Sequence, residues 1–578
     1  MGKIRYYIFK FINWIAPQNI EYEVVLHKGK NRTILIGLVT GLIYSAILLK
    51  LFMVAGFPED TFVKKKTNKA PIQTLSRSDI YDRNKVLVAG MLDTKGLYVN
   101  PQKVKNPVKL TKELASILTD MGYDTIYKKV TGKARFVWLK RRLTPKQQYA
   151  INALGDIALD FINAQTRVYP HGALLSHTLG YVNVDNQGIG GIEQGKNKVL
   201  ASGKEDLQLT LDIRLQHILR SKIKKAVDIT KAIGATGIIM NVNNGEVLAM
   251  TSLPDFDSNH AGKYANRFNR ATLGVYELGS TFKIINSAFA LDSKKITMRD
   301  VFDARTPIRI GRFSIRDYHS KNRPLSVPEI FIYSSNIGSA KMAWKLGKEK
   351  QQVFMKKMGL LDKLDIVIPE RGRTLYPKKS RWNKTETITI SFGHGIAVTP
   401  LHLVASVAAL VNGGTYYTPK FIKSGLSVGR RVVDKKTSLN IRKLLYLNSI
   451  KGSGNSASVD GYMVGGKTGT ADKVDSSGYN KKSGTGYDES ALISSYIAIF
   501  PINDPKYLVY VLVDEPKPSK LGYGARPTGG IVAAPVVGNI IQRIAPLLNV
   551  APVDMTDPAL KEFMTMPKPK QKITESIL

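Results

Sequence analysis

Glu277-Leu278-Gly279-Ser280-Thr281-Phe282-Lys283 sets a serine and a lysine three residues apart, directly after a glycine. Two more short stretches follow downstream, Ser334-Ser335-Asn336 and Lys467-Thr468-Gly469-Thr470. A lone S-x-x-K is close to noise, because both residues are common. The ordered triple S-x-x-K, S-x-N, K-T-G describes a serine acyl-transfer site. If Ser280 opens a helix, Lys283 lies on the same face. A serine hydroxyl needs a base within hydrogen-bond reach. A lysine can be that base only when burial or a second cation lowers its pKa, and Lys467 would supply the cation. The helix N-terminus adds positive partial charge and the Ser280 N–H, one half of an oxyanion hole.

Ser334 is suited to relay a proton between Lys283 and a leaving amine, and the Asn336 amide to bind a substrate carbonyl. Tyr462-Met463-Val464 reads as a strand running into Lys467 to Thr470. On a strand Thr468 and Thr470 point the same way, offering two hydroxyls to a substrate carboxylate. Gly469 permits close approach of a ligand or of the nucleophile helix. The Thr470 N–H is the natural second oxyanion donor. Taken singly, the three stretches also read as a surface pair, a helix cap and a glycine-rich turn. Their joint order is what carries the reading.

The chain has 578 residues, enough for several domains, and an apolar share of 43% that is ordinary for globular protein. It has no cysteine, which excludes disulfides, thiolate metal sites and thiol catalysis. Lys+Arg number 85 against 45 Asp+Glu, formally +40. That excess reads either as a lysine-rich soluble surface or as attraction to a polyanion such as an acidic wall polymer. No basic run interleaves with aromatics, so nucleic acid is not implied. The eight histidines show no H-x-x-x-H or H-E-x-x-H spacing, and no G-x-S-x-G anchors a Ser-His-Asp triad. His394, in Ser391-Phe392-Gly393-His394-Gly395, reads as structural. No metal or cofactor is implied.

Residues 33–49 carry no charge, and only Lys50 interrupts as far as Pro58. A helix rises about 1.5 Å per residue, so roughly 20 residues cross the apolar layer of about 30 Å. One membrane anchor at 33–55 is expected, with a large domain beyond it. Lys28, Lys30 and Arg32 flank one side and Lys64, Lys65, Lys66 and Lys69 the other, so positive charge does not decide orientation. The later apolar run 395–411 contains Pro400 and reads as a helix capped by Thr399 and stopped at Asn412-Gly413-Gly414. The first thirty residues mix Tyr6, Tyr7, Phe9, Phe11 and Trp14 with Lys3, Arg5 and Lys10. They read as a basic interfacial helix or as a plain tail.

Residues 59–70 form a polar linker. A mixed region follows to about Lys225, and Asp212 is suited to cap a helix running to about Lys231. The apolar runs 237–240 and 247–250, parted by Asn243-Asn244-Gly245, read as a hairpin. The runs 495–500 and 507–513 read as a second strand pair. Strands at both ends of a region with helices between predict an α+β domain built on an antiparallel sheet. The Pro- and Lys-rich tail from Ala551 is expected to be disordered at its end.

With these residues in hand, the chain resembles class B penicillin-binding proteins from the anchor to about Leu548. Beyond the three motifs, the resemblance rests on residues 244–254, Asn269-Arg270-Ala271, residues 393–400 and Ala533-Ala534-Pro535. Earlier stretches, 77–84, Arg167-Val168-Tyr169-Pro170 and Gly190-Gly191-Ile192-Glu193, resemble the family's non-catalytic pedestal. Leu278 and Ala498 stand where many relatives have Pro and Gly. The resemblance implies a peptidoglycan D,D-transpeptidase in which Ser280 is acylated by a stem peptide ending in D-Ala-D-Ala. The acyl group then passes to an amine on a neighbouring stem. Ser280 would be the nucleophile, Lys283 the base, and Ser334 and Asn336 the relay and positioning groups. Lys467, Thr468 and Thr470 would hold the terminal carboxylate, and β-lactams would acylate Ser280.

The expected organisation is a cytoplasmic tail (1–32), the anchor (33–55), a dimerisation-like pedestal (60–225), the transpeptidase domain (226–548) and a C-terminal tail (549–578). The site would lie outside the cytoplasm, on the periplasmic side of the inner membrane. Ser334-Ser335-Asn336-Ile337-Gly338 resembles the division-type form, which favours a septal over an elongation role. No glycosyltransferase motif is present, so a membrane-embedded glycan polymerase and other division proteins are the implied partners. Two other readings share the fold: a D,D-carboxypeptidase or β-lactamase, and a non-enzymatic scaffold or sensor.

Overall fold

The structure, a computed structural model, describes residues 27–56, 76–310, 313–474, 487–518, 526–554 and 556–574. The aromatic-rich start of the chain and the linker 59–70 lie outside these residues. The chain divides into two compact units, Met1–Thr74 and Leu75–Leu578.

In the first unit, α1 (His27–Gly56) is one continuous helix. Its segment Ile34–Leu51 is, among the described residues, the one helix long and apolar enough to cross a membrane. Leu35, Ile36, Leu42 and Leu48 are exposed there, which suits a hydrocarbon rather than an aqueous surround.

The second unit begins with a small sheet. Strand β1 (Leu87–Val99) pairs antiparallel with β2 (Val137–Leu143) and with β3 (Leu159–Val168). Leu97 and Val99 of β1 close a core over Leu110, Leu114, Ile126 and Leu139. Three stretches that the sequence marked separately meet here. Glu193 is fully buried and binds Arg77 Nε at 2.7 Å and Arg167 Nε at 2.6 Å. Tyr169 donates to the same carboxylate at 3.2 Å.

Helix α2 (Ile213–Thr230) starts at Asp212, whose side chain accepts from Arg214 N–H. It is followed by the hairpin of β4 (Gly234–Asn241) and β5 (Val247–Leu253). The chain then builds helices α3 (Phe282–Asp292), α4 (Val327–Ile332), α5 (Asn336–Leu346), α6 (Pro400–Val411) and α7 (Lys435–Lys451). It returns as β6 (Gly465–Val474), β7 (Tyr487–Phe500) and β8 (Tyr507–Asp514), and ends with α8 (Ala533–Leu547) and the short α9 (Lys561–Met564). The five strands form an antiparallel sheet in the order β6-β7-β8-β4-β5.

Alternation along the strands divides the core in two. Ile239, Val509, Val511 and Val513 face α2 and α8 through Leu215, Leu219, Ile223, Val537 and Ile541. Ile238, Met240, Leu508, Tyr510 and Leu512 face α3, α6 and α7 through Phe282, Ile285, Val404, Val407 and Leu444. The expected α+β domain, an antiparallel sheet with helices on both sides, is therefore present.

One expected boundary needs correction, and the end of the tail, 575–578, lies outside the described residues. A boundary at 225/226 would cut α2, whose buried apolar residues Leu215, Leu219, Ile223 and Ala226 pack with the catalytic sheet. The helix propensity of 213–230 was legible, but its packing partner was not. Much of the C-terminal tail also packs back on the domain, up to residue 574. Leu560 and Phe563 are buried in the main core, Lys570 Nζ donates to Asp300 at 2.8 Å, and Thr574 N–H donates to Val301 O at 2.7 Å.

Candidate active site

Gly279 to Thr281 make a 3-10 turn that runs straight into α3, so Ser280 sits at the mouth of that helix and Lys283 one turn inside. Gly279 has φ +53, and a Cβ there would lie 2.4 Å from the Thr470 carbonyl oxygen. Only glycine lets the nucleophile turn press so closely against β6. Gly469 serves the same contact from the other side, since its Cβ would meet Ser495 Oγ at 2.4 Å and Leu278 O at 2.8 Å.

Lys283 is 1% exposed, and its amine nitrogen has four oxygen neighbours. They are Ser280 Oγ at 2.9 Å, Ser334 O at 2.8 Å, Ser334 Oγ at 3.1 Å and Asn336 Oδ1 at 2.7 Å. The Ser334 carbonyl and the Asn336 amide oxygen can only accept. A neutral amine has two N–H groups for these two acceptors and one lone pair left for the Ser280 hydroxyl. Burial first, then the Lys467 ammonium, push the Lys283 pKa well below the usual lysine value, while Asp317 acts weakly the other way.

Ser334 makes this possible by an unusual backbone. It occupies the turn between α4 and α5 with φ +56, a left-handed conformation that costs a non-glycine residue energy. In exchange both its carbonyl and its hydroxyl face Lys283. Ser334 Oγ also donates to Ser280 Oγ at 3.0 Å and accepts from Lys467 Nζ at 3.2 Å. Behind it Ser335 caps α5 by accepting from Gly338 N–H, and Asp317 fastens that cap. Ser335 Oγ and Ile337 N–H donate to Asp317 at 2.7 and 2.9 Å. One N–H of Asn336 is taken by Arg316 O at 3.0 Å, which leaves the other for a substrate carbonyl.

β6 is the edge strand of the sheet, with β7 on one side only. Gly466 directs its N–H and carbonyl to Ser449 and Asn448 of α7, away from β7. Backbone groups alternate sides along an antiparallel edge, so those of Thr468 and Thr470 also face outward. For Thr470 that direction is the nucleophile turn. Thr468 Oγ1 lies 2.7 Å from Ser453 Oγ, and Thr470 Oγ1 accepts from Gly529 N–H at 3.1 Å. Lys467 is fully buried, and burial lowers its pKa to about 7.

A cavity of about 620 Å³ brings Ser280, Ser334, Asn336, Thr468 and Thr470 together. Lys283 and Lys467 lie beneath it and Gly469 presses against the nucleophile turn, so all eight expected residues converge. Sequence reasoning missed Asp317, Ser453, His394 and the rim pair formed by Arg526 and Asp472 at 2.9 Å. Asp317 and Ser453 lie outside the three motifs and carry no local signature. His394 stood beside telling glycines, but its place in the cleft wall depends on the loop's fold.

The penicillin-binding protein transpeptidase domain model matches residues 235–542, and the penicillin-binding protein dimerisation domain model matches residues 73–238. A probable peptidoglycan D,D-transpeptidase FtsI of Caulobacter vibrioides is 36% identical over 491 residues, covering 82% of each chain. Stage V sporulation protein D of Bacillus subtilis is 34% identical, covering 82% of this chain and 79% of its own. The peptidoglycan D,D-transpeptidase FtsI of Escherichia coli is 28% identical, covering 85% and 86%. Among solved structures, a peptidoglycan synthetase from Bifidobacterium adolescentis shares the fold at TM-score 0.66 and 20% identity, covering 84% of this chain and 98% of its own. Penicillin-binding protein 3 of Mycobacterium tuberculosis, complexed with aztreonam, does so at 0.65 and 21%, covering 83% and 98%. With both domain models in sequence and these relatives along most of its length, the chain belongs to the penicillin-binding proteins that carry a dimerisation domain ahead of a transpeptidase domain.

Proposed function

We propose that the chain is a serine-type peptidoglycan D,D-transpeptidase that cross-links stem peptides during septal wall synthesis and is acylated by β-lactams. The observation that carries this reading is the triangle of Ser280 Oγ, Lys283 Nζ and Ser334 Oγ, with edges of 2.9, 3.0 and 3.1 Å, set against an unpaired strand edge. A stem peptide ending in D-Ala-D-Ala adds to that edge as an extra strand, and its carboxylate lies against Thr468, Thr470 and Lys467.

Neutral Lys283 takes the Ser280 proton as Oγ attacks the penultimate D-Ala carbonyl. The oxyanion forms between the Ser280 and Thr470 N–H groups. Lys283 returns the proton through Ser334 Oγ to the departing D-Ala amine as the C–N bond breaks. A neighbouring stem's amine then attacks the Ser280 ester, passes its proton back along the same path, and releases Ser280.

The Asn336 form of the second motif and the FtsI-named relatives support the septal role. The one helix among the described residues that is long and apolar enough to span supports an inner-membrane anchor, and we place the site on the periplasmic side. Residues 60–211 serve as the pedestal, and a glycan polymerase among the division proteins supplies the strands. A fluorescent penicillin pulse and chase tests the chemistry. A stable adduct supports a transpeptidase, and release within seconds a β-lactamase. A tagged copy confined to midcell supports the septal role, and a dispersed sidewall signal the elongation role.

A further inference from the structure

His394 lines the same cavity as Ser280, Ser334, Asn336 and Thr470, yet the scheme above gives it no task. Its loop is fastened on both sides to the nucleophile turn. Gly279 N–H donates to Gly393 O at 3.3 Å, and Gly395 N–H donates to Glu277 Oε1 at 2.9 Å. The imidazole sits between Phe392, with ring centroids 5.5 Å apart, and Tyr487, edge-on at 5.6 Å. Tyr487 OH in turn donates to Glu277 Oε2 at 3.0 Å. Glu277 thus holds both the loop and the aromatic ring that fix His394.

Nδ1 is buried and has no hydrogen-bond partner among the described residues, so contact with a substrate falls to Nε2. A neutral imidazole carries one bare nitrogen, and the tautomer protonated at Nδ1 presents Nε2 as an acceptor. Burial above all lowers the pKa to about 4. The ring is therefore uncharged at neutral pH, and it is too weak a base to keep a proton.

The second half-reaction brings in a primary amine, which carries two N–H groups. Ser334 Oγ can accept one of them, which leaves the other for an acceptor in the cavity wall. We propose that His394 is the second acceptor: it hydrogen-bonds the nitrogen of the incoming amine and thereby favours aminolysis of the Ser280 ester over hydrolysis. As the N–C bond forms, one amine proton passes through Ser334 Oγ to neutral Lys283. Lys283 delivers a proton to Ser280 Oγ as the C–O bond of the ester breaks. His394 ends the cycle in its starting state. The leaving D-Ala amine occupies the same place in the first half-reaction, so His394 contacts it too.

The inference rests on the proposed transpeptidase reaction, and its test separates the two. An N-benzoyl-D-alanyl thioester acylates Ser280 without any leaving amine, and D-alanine is added as the acceptor. The full chain in detergent is compared with His394→Phe, which keeps an aromatic ring against Phe392 and Tyr487, and with His394→Gln, which restores an acceptor oxygen. Thioester consumption without D-alanine is measured alongside as the acylation reference for each variant. The aminolysis-to-hydrolysis ratio should fall at least tenfold in His394→Phe and recover in part in His394→Gln. An unchanged ratio in His394→Phe would overturn the role, as would equal loss of acylation and aminolysis. Failure of the wild-type chain to be acylated would instead overturn the transpeptidase reading itself.

Discussion

Lys283 and Lys467 converge on one hydroxyl, with their Nζ atoms 3.1 and 3.2 Å from Ser334 Oγ. Both side chains are buried, and neither forms an ion pair among the described residues. Two such ammonium groups disfavour each other's charge, so one lysine serves as a base while the other stays a cation for the substrate carboxylate.

The pH dependence of penicillin acylation follows from that division. Lys283 must be neutral, so the rate constant rises with pH through its depressed pKa. Lys467 must be charged to attract the carboxylate, so the rate constant falls as pH passes about 7. A bell is expected for benzylpenicillin in kcat/KM-type measurements, and loss of the alkaline limb for an uncharged thioester. The same alkaline limb with both substrates would contradict the role of Lys467.

Thr468→Val removes the hydroxyl that meets Ser453 Oγ at 2.7 Å while keeping the shape of the side chain. Acylation by carboxylate-bearing substrates should weaken by about ten- to hundredfold, in line with about 1.5–3 kcal/mol for a hydrogen bond to a charged group. Uncharged thioesters should change far less. Equal loss on both would argue against a carboxylate site at Thr468.

Gly279→Ala would drive a methyl group into the Thr470 carbonyl, backbone against side chain, at a residue with φ +53. The nucleophile turn must then retreat from β6. A displacement of about 1 Å at a reacting centre costs about 10²-fold in rate. Acylation should drop by that order, with a lower melting temperature. Wild-type acylation in this variant would show that the turn and strand need not touch.

Much of the site was legible because the chemistry sits in three contiguous stretches. Ser280 with Lys283 and Thr468 with Thr470 share a face through local geometry alone, so helix and strand periods suffice. Ser334 was readable as a relay, but its left-handed backbone was not, because that conformation is imposed by the turn joining α4 and α5. The links from Asp317 to Ser335, and from Ser453 to Thr468, are tertiary contacts that no local pattern announces. The same holds for the pedestal, where residues 77, 167 and 193 looked like three unrelated family stretches and form one buried ion cluster. The strand pairs at both ends of the catalytic region fixed its fold class in advance. The packing of α2 and of the C-terminal tail depended on which apolar faces they would meet.

That ion cluster has a stability consequence. Glu193→Gln leaves Arg77 and Arg167 buried together without their carboxylate. Removing one partner of a buried ion pair costs about 3–5 kcal/mol. The denaturant midpoint of the pedestal should fall accordingly, read from tryptophan fluorescence, since Trp138 lies on β2. An unshifted midpoint would mean that the guanidinium groups find other partners.

The central claim is that Lys283 activates Ser280 for acylation. Peptide mapping after a benzylpenicillin pulse, on wild type and on Lys283→Ala, tests it most directly. The adduct should fall on the peptide containing Ser280, and Lys283→Ala should be acylated about 10²–10⁴-fold more slowly with its fold intact. An adduct on another residue, or an undiminished rate in Lys283→Ala, would contradict the account.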